Sequence, residues 1–343
     1  LQSRGLGDVY KRQIQDIADK MGVSKSTVSK ALNDAPDISE ALRKQVLETA
    51  VALGYTKLRR YKKPTKKVCI IIEKENMRYQ EPHHFAYDIL VGFRQMAEPA
   101  GFDVEIVPVD IKTQRSQHYD VFMLEHDYIG AFVVGFSLSD PWIQDFKISR
   151  TPAVLFDNYI VGNPSTAYVG IDNEEGMELA VSYLAGLGHR KIAYLSSSLG
   201  ARVLQARHAA FLRSMHQHGL KTSPAAIGCS YYLSECMEKH LPRFLENGIT
   251  AIICNQDTLA SATLTQCQQL GFQVPDDISI IGFDDLPIAA CTSPPLTTIR
   301  QDRLELGKSG FFALSSLLNH IPISTYLLHA QLIQRESTGK VPS

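Results

Sequence analysis

From residue 68 onward the sequence alternates short apolar runs with amphipathic stretches, and this alternation restricts the fold more than any other feature. The runs are VCIII (68–72), VEIVPV (104–109), GAFVVGF (130–136), AVLF (153–156), AYVGI (167–171), KIAYL (191–195), TAIIC (250–254) and ISIIGF (278–283). Each has the length of a strand and lacks a polar alternation, the pattern of a strand buried on both faces. Between them, segments 84–100, 173–187, 202–218, 234–246 and 257–271 carry helical spacing. Buried strands separated by helices imply parallel sheets covered on both sides. Eight or more strands in roughly 270 residues predict two doubly wound halves with a cleft at the strand C-termini.

The first 67 residues follow another pattern. Residues 1–13 have no periodicity and no initiating Met, and are expected to be a non-native leader. Ile14, Ile17, Ala18 and Met21 then fall on one helical face, which Gly22 ends. Ser24 suits the N-cap of a second helix, and Ser39 that of a third whose buried stripe is Leu42, Val46, Leu47, Ala50 and Leu53. Three short helices sharing one small core form a foldable unit. Residues 56–67, TKLRRYKKPTKK, read as a basic linker.

Charge divides at the same place. Residues 1–67 hold 15 Lys/Arg against 7 Asp/Glu, whereas the rest holds 20 against 29, so the formal net charge of −1 hides a basic head on an acidic body. Such a split fits a chain whose head alone meets a polyanion. Six cysteines (69, 229, 236, 254, 267, 291) form no CxxC and no metal-ligand spacing, which favours a reduced, cytoplasmic setting over a disulfide framework. No window is apolar enough to span a membrane, and residues 1–20 lack a signal peptide's apolar run. The histidines give no HxxxH pair on a plausible helix face, His83-His84 lacks nearby ligand spacing, and His189 closes a helix as a structural residue. No metal and no cofactor is expected. GxSxG, a P-loop and a post-strand GxGxxG are all missing, which argues against an enzyme. Trp142 is expected to be a lid or a surface aromatic.

In chain order, IQDIADKMGVSKSTVSKALN, ISEALRKQVLETAVALGY, LAGLGHRKIAYL, TAIICNQDTLA, DISIIGFDDLP, PPLTTIRQD and LIQREST resemble the DNA-binding motif, third helix and core signatures of the lac repressor (LacI/GalR) family of bacterial transcription regulators. The resemblance implies an all-α helix-turn-helix head joined to an α/β body of two doubly wound parallel-sheet subdomains, like a periplasmic binding protein. It divides the chain into head 14–55, hinge 56–67 and core 68–340. The N-subdomain is expected over about 68–165 plus 297–324, and the C-subdomain over 166–296 plus 325–340.

In such a head the second helix enters the major groove. By position, Lys25, Ser26 and Lys30 would read bases, while Ser24, Thr27, Ser29, Asn33 and Ser39 would reach phosphates. For Ser24 and Ser39 a capping role alone is the alternative. The family's hinge carries Pro-Asn and a leucine that wedges into the minor groove. Here Tyr55 is followed by TKLRRYKKPTKK, in which Arg59, Arg60, Lys62 and Lys63 supply charge without that wedge. The resemblance also implies a small-molecule effector between the subdomains, held by Phe85, Asp157, Arg207, Tyr232, Gln256 and Asp284. Carboxylate, guanidinium and amide groups suit a sugar. A purine or nucleoside stacked on Phe85 and Tyr232 is the alternative effector. Core packing is the rival role for those two aromatics, and capping or a structural ion pair for the two aspartates. Gln256 stands where the family commonly has Asn, and Ala210 where it has Gly. The implied partners are a pseudo-palindromic double-stranded DNA operator, the effector and a second copy of the chain, in a homodimer acting as a repressor.

Overall fold

The computed structural model describes residues 13–33, 35–55, 66–75 and 77–342. The leader reading for 1–12 and the hinge residues Arg59, Arg60, Lys62 and Lys63 lie outside them. The head is three helices: α1 over 13–21, α2 (Lys25–Leu32) and α3 (Glu40–Ala52). Gly22 has φ +68°, a left-handed turn that a residue without Cβ adopts freely, so α1 stops there. The Ser24 hydroxyl accepts from the Thr27 N–H and the Ser39 hydroxyl from the Leu42 N–H, and these caps start α2 and α3. Ile14, Ile17, Ala18, Val28, Ala31, Leu32, Val46, Leu47 and Ala50 form the core, of which α2 supplies only three residues. A helix of eight residues is marginal alone, so packing rather than propensity holds α2.

The body continues with β1 (Lys67–Glu73), α4 (Phe85–Ala97), β2 (Asp103–Val109), α5 (Ile111–Ser116), α6 (Tyr119–Glu125), β3 (Ala131–Val134), α7 (Trp142–Asp145), β4 (Ala153–Phe156) and β5 (Thr166–Ile171). Next come α8 (Asn173–Gly186), β6 (Ile192–Ser196), α9 (Arg202–Gln217) and β7 (Ile227–Cys229). Helix α10 (Leu233–Glu235) runs through a π-helical turn at Cys236–His240 into α11 (Leu241–Glu246). The chain then forms β8 (Ala251–Cys254), α12 (Asp257–Gln269), β9 (Ser279–Asp284), α13 (Pro287–Cys291), β10 (Thr297–Arg300), α14 (Arg303–Leu318), β11 (Thr325–Leu328) and β12 (Gln331–Ile333).

Two six-stranded sheets result, ordered β11-β5-β4-β3-β1-β2 and β12-β10-β9-β8-β6-β7. β1 pairs parallel with β2 and β3, and β3 with β4. In the second sheet β6 pairs parallel with β7 and β8, β8 with β9, and β9 with β10, while β12 returns antiparallel to β10. Period-2 alternation explains why both faces of this sheet are apolar. Ala193 and Leu195 of β6 enter one core cluster, while Ile192 and Tyr194 enter another.

The chain divides into two compact units. One comprises Leu1–Met77, Phe93–Tyr168 and Lys308–Thr325, and the other Arg78–Gly92, Val169–Gly307 and Tyr326–Ser343. Residues 297–307, expected with the N-subdomain, therefore fall in the second unit. The ladder is the reason, since Thr297 of β10 pairs with Ile281 of β9.

Other expectations also change. The run 104–109 is not buried on both faces: β2 is an edge strand with exposed Asp103, Glu105 and Pro108. Trp142 is neither lid nor surface residue, being fully buried with its Nε1–H donating to the Gln117 carbonyl at 3.0 Å. Helix α14 was not expected, because Gly307 and Gly310 interrupt its apolar spacing. The second glycine is needed, as a Cβ at 310 would sit 2.8 Å from the Phe132 ring. His189 is buried between the Thr250 hydroxyl (2.9 Å) and the Gly339 carbonyl (3.1 Å), and desolvation depresses its pKa.

Candidate functional site

In the head, the Ser24 cap and the buried Val28, Ala31 and Leu32 fix which side of α2 faces the core, leaving Lys25 and Ser26 exposed on its first turn. Ser24 also shares a 2.8 Å hydrogen bond with the Thr27 hydroxyl. Asn33, at the C-cap, donates from Nδ2 to the Ser29 carbonyl at 2.7 Å. Lys30 is exposed and ion-paired with Asp37, whose carboxyl it holds below the ordinary range. An ion pair this exposed is weak, so Lys30 can exchange it for another acceptor. Ser39 is exposed at the start of α3, while Thr27 and Ser29 are half-buried.

A second polar cluster lies in the second unit. Arg207, on α9, is 3% exposed and stacks its guanidinium 3.7 Å from the Phe283 ring centroid. Its Nε donates to Asn173 Oδ1 (2.8 Å) and its Nη1 to the Asn255 carbonyl (2.9 Å), with Asp284 Oδ1 at 3.8 Å from Nη1. Asn173 opens α8, where Asp172 caps the helix through the N–H groups of Glu174 and Glu175. Asn255 is cross-braced to Ser197: its Oδ1 accepts from the Ser197 N–H and its Nδ2 donates to the Ser197 hydroxyl, each at 3.2 Å. Asp284 ends β9, and its Oδ1 accepts from Gln301 Nε2 at 2.6 Å.

Burial dominates the electrostatics here. It pushes the Asp284 carboxyl up to about 6, although Arg207 and the Gln301 hydrogen bond pull the other way. Asp257, the first residue of α12, is fully buried. Its oxygens accept from the Thr298 hydroxyl (2.6 Å) and the Leu286 N–H (2.7 Å). Burial and the neighbouring Asp284 charge raise its carboxyl well above the ordinary range. Arg207 therefore sits beside one carboxyl, Asp284, that burial disfavours as an anion and that in turn neighbours a second such carboxyl, Asp257, while Asn173, Asn255 and Gln301 supply amide groups. Such a lattice offers both donors and acceptors to a polar ligand.

Of the residues expected at an effector site, the structure brings Arg207 and Asp284 together. Gln256 is half-buried and directly follows Asn255, whose carbonyl Arg207 holds. Tyr232 is 66% exposed just before α10, edge-on to Tyr231 at 5.5 Å, which rules out its alternative as a core residue. Phe85 opens α4, half-buried, in the second unit. Asp157 follows β4 in the first unit with φ +60°. The sequence does not single out Asn173, Asn255, Gln301 or Phe283; the last three lie within TAIICNQDTLA, PPLTTIRQD and DISIIGFDDLP, but residue type alone does not mark them. Among the described residues no helix is long and apolar enough to cross a membrane, and no group of three or more His, Cys, Asp or Glu could hold a metal ion.

The fold and these two sites define a helix-turn-helix head on a body built like a periplasmic binding protein. Residues 13–57 match the model for bacterial regulatory proteins of the lacI family, and 181–338 that for the periplasmic binding protein-like domain. Among curated relatives, the HTH-type transcriptional repressor PurR of Aliivibrio salmonicida is 27% identical over 339 residues, covering 96% of this chain and 99% of its own. The HTH-type transcriptional repressor CytR of Escherichia coli K12 is 27% identical over 337 residues, covering 96% and 97%. Two solved structures share the fold. The transcriptional regulator CelR–cellobiose complex has a TM-score of 0.70 at 22% identity, covering 94% of this chain and 99% of that one. The Lac repressor dimer bound to operator and the anti-inducer ONPF has a TM-score of 0.66 at 22% identity, covering 94% and 98%. The chain thus pairs a lacI-family DNA-binding domain with a periplasmic binding protein-like domain, the arrangement of a transcription regulator, and the curated relatives that match it over nearly its whole length are HTH-type transcriptional repressors.

Proposed function

We propose that this protein is a cytoplasmic, non-catalytic homodimeric repressor that binds a pseudo-palindromic double-stranded DNA operator and answers to a small sugar. The head 14–55 engages DNA, the basic segment 56–67 joins it to the body, and the core 68–340 senses the effector. Lys25, Ser26 and Lys30 read bases: the first two stand exposed on the first turn of α2, and Lys30 needs only to leave a weak surface pair. Ser24, Thr27, Ser29, Asn33 and Ser39 are the proposed phosphate contacts, with Arg59, Arg60, Lys62 and Lys63 adding charge along the linker. Two heads related by a twofold axis require a twofold operator.

The observation that carries the effector reading is the buried pair Arg207–Asp284 within its amide lattice. Hydroxyl groups donate to a carboxylate and accept from a guanidinium, so a polyol satisfies both at once. Phe85, Asp157, Tyr232 and Gln256 are the further proposed contacts. The CelR structure, similar in fold, is a complex with cellobiose, which agrees in class. The exposed, edge-on Tyr231 and Tyr232 favour a second reading, a purine or nucleoside stacked on the pair. An effector that lowers operator affinity must itself bind more weakly to the DNA complex.

A thermal-shift screen of monosaccharides, disaccharides, sugar phosphates and purines tests the proposal. A specific ligand at 100 times its Kd adds about 2.7 kcal/mol of stability. A sugar hit that Arg207→Ala abolishes, and that alters retardation of operator DNA, is the expected result. A purine hit selects the second reading. A silent panel, with the protein folded and still retarding DNA, overturns the sugar assignment.

A further inference from the structure

The turn that follows β9 is strained in an unusual way. Asp284 and Asp285 both occupy the left-handed region, with φ +111° and φ +54°, in succession and without a glycine. Aspartate tolerates that region singly, but two adjacent residues stay there only where their surroundings hold them. Asp285 supplies the hold. Its side chain is 8% exposed. Its Oδ2 accepts from Arg300 Nε at 2.7 Å and its Oδ1 from Arg335 Nη2 at 2.6 Å.

Each arginine is anchored elsewhere. Arg300 belongs to β10, facing Asp284 across the parallel ladder and Gln331 across the antiparallel one. Arg335 donates from Nη1 to the Leu296 carbonyl (2.8 Å) and from its backbone N–H to the Thr297 hydroxyl (3.0 Å). The next residue is also tied, because the Leu286 N–H donates to the buried Asp257 carboxyl. Both oxygens of Asp285 are thus engaged by guanidinium groups, one on a residue held in the β10 ladder and one itself bonded to the Leu296 carbonyl, which makes Asp285 a poor ligand group. Its neighbour, on the same turn, is the carboxylate directed at Arg207 and Gln301.

We propose that Asp285 is a positioning residue for the effector site, which through its ion pairs with Arg300 and Arg335 locks the turn that aims the Asp284 carboxylate at Arg207 and Gln301. The two carboxylates of the GFDD motif then have separate tasks, one facing the ligand and the other holding the backbone. The inference rests on the effector reading of Asp284 but is testable without any effector.

The readout is the ionisation of Asp284, followed in the full-length protein by carboxyl carbon NMR with aspartate labelling and assigned through Asp284→Asn. In Asp285→Asn, which keeps the side chain's size but removes its charge, the turn relaxes and the Asp284 carboxyl leaves its buried place. Its midpoint is expected to fall toward the ordinary carboxylate range by about one pH unit or more. A merely structural role for Asp285 would lower the melting temperature and move that midpoint only by the loss of one neighbouring charge, which its two arginines already largely offset; a shift well short of one pH unit therefore overturns the proposal. Should Asp285→Asn fail to fold, Arg335→Gln removes one arm of the clamp and Arg335→Lys retains its charge. The glutamine variant is expected to lower the midpoint and the lysine variant to restore it; an identical midpoint in both overturns the proposal as well. If no sugar binds the wild type while the midpoint still falls in Asp285→Asn, the effector reading fails and the clamp stands.

Discussion

Arg207 concentrates the physics of the body at the scale of one residue. It is buried, stacked on Phe283 and bonded to two asparagines, so its charge is compensated chiefly by Asp284 and amide dipoles. Removing one partner of a buried pair leaves the other uncompensated, and we expect Arg207→Ala to lower stability by about 3–5 kcal/mol in urea titrations. The Arg207→Ala/Asp284→Ala double variant is expected to recover part of that loss, and simple additivity would refute the coupling. Asp284 adds a pH dependence with a definite sign. Its folded carboxyl is raised to about 6, above its unfolded value, so the native state holds the proton more tightly. The associated stability is complete below the unfolded pKa and is lost as pH rises through 6. Wild type should therefore lose stability relative to Asp284→Asn between pH 4.5 and 7.5, as read from paired melting curves. A gap between the two that stays constant across that range would contradict the assignment. Motif position singled out Arg207 and Asp284 in the sequence, whereas Asn173 and Gln301 became visible only once the chain brought them within hydrogen-bond distance.

At the scale of elements, the short helices of the head depend on their caps. Ser24→Ala leaves the Thr27 N–H without its side-chain partner and should destabilise the head by about 1 kcal/mol, read as a lower melting temperature and weaker operator binding. An unchanged melting curve would assign Ser24 to phosphate contact alone. In the body, Gly310 lets α14 lie directly on the Phe132 ring. Gly310→Ala gains helix propensity but overpacks that contact, and the two effects oppose each other. Overpacking, at about 1–3 kcal/mol, exceeds the gain of about 1 kcal/mol, so a net loss of stability in urea unfolding is expected. A net gain would mean that the ring has room to move. Capping residues together with helical periodicity marked α2 and α3 in the sequence, and periodicity alone marked α8, α9 and α12. Helix α14 escaped because its glycines answer to a neighbour that is distant in sequence.

Across the whole molecule, the basic head and linker set the response to salt. The lysines near the linker's end are not equivalent. Lys67 belongs to β1 and is paired with Glu105 at 2.7 Å, and Lys66 lies over the Phe102 ring. Neutralising Lys62 and Lys63 should reduce the slope of log affinity against log salt by about one for each lysine that meets a phosphate. Neutralising Lys67 should leave it nearly unchanged, and equal slopes for both variants and the wild type would refute the linker's role in DNA binding. The sequence by itself determined the two-part plan, the parallel sheets and the capped starts of α2 and α3, because periodicity, capping and charge segregation are local properties. The tertiary structure alone decided which strands lie at sheet edges, which unit owns β10, why Trp142 is buried and how Asp285 is clamped. Those outcomes depend on contacts between residues far apart in the chain, such as Asp285 with Arg335, and no local pattern records such a contact.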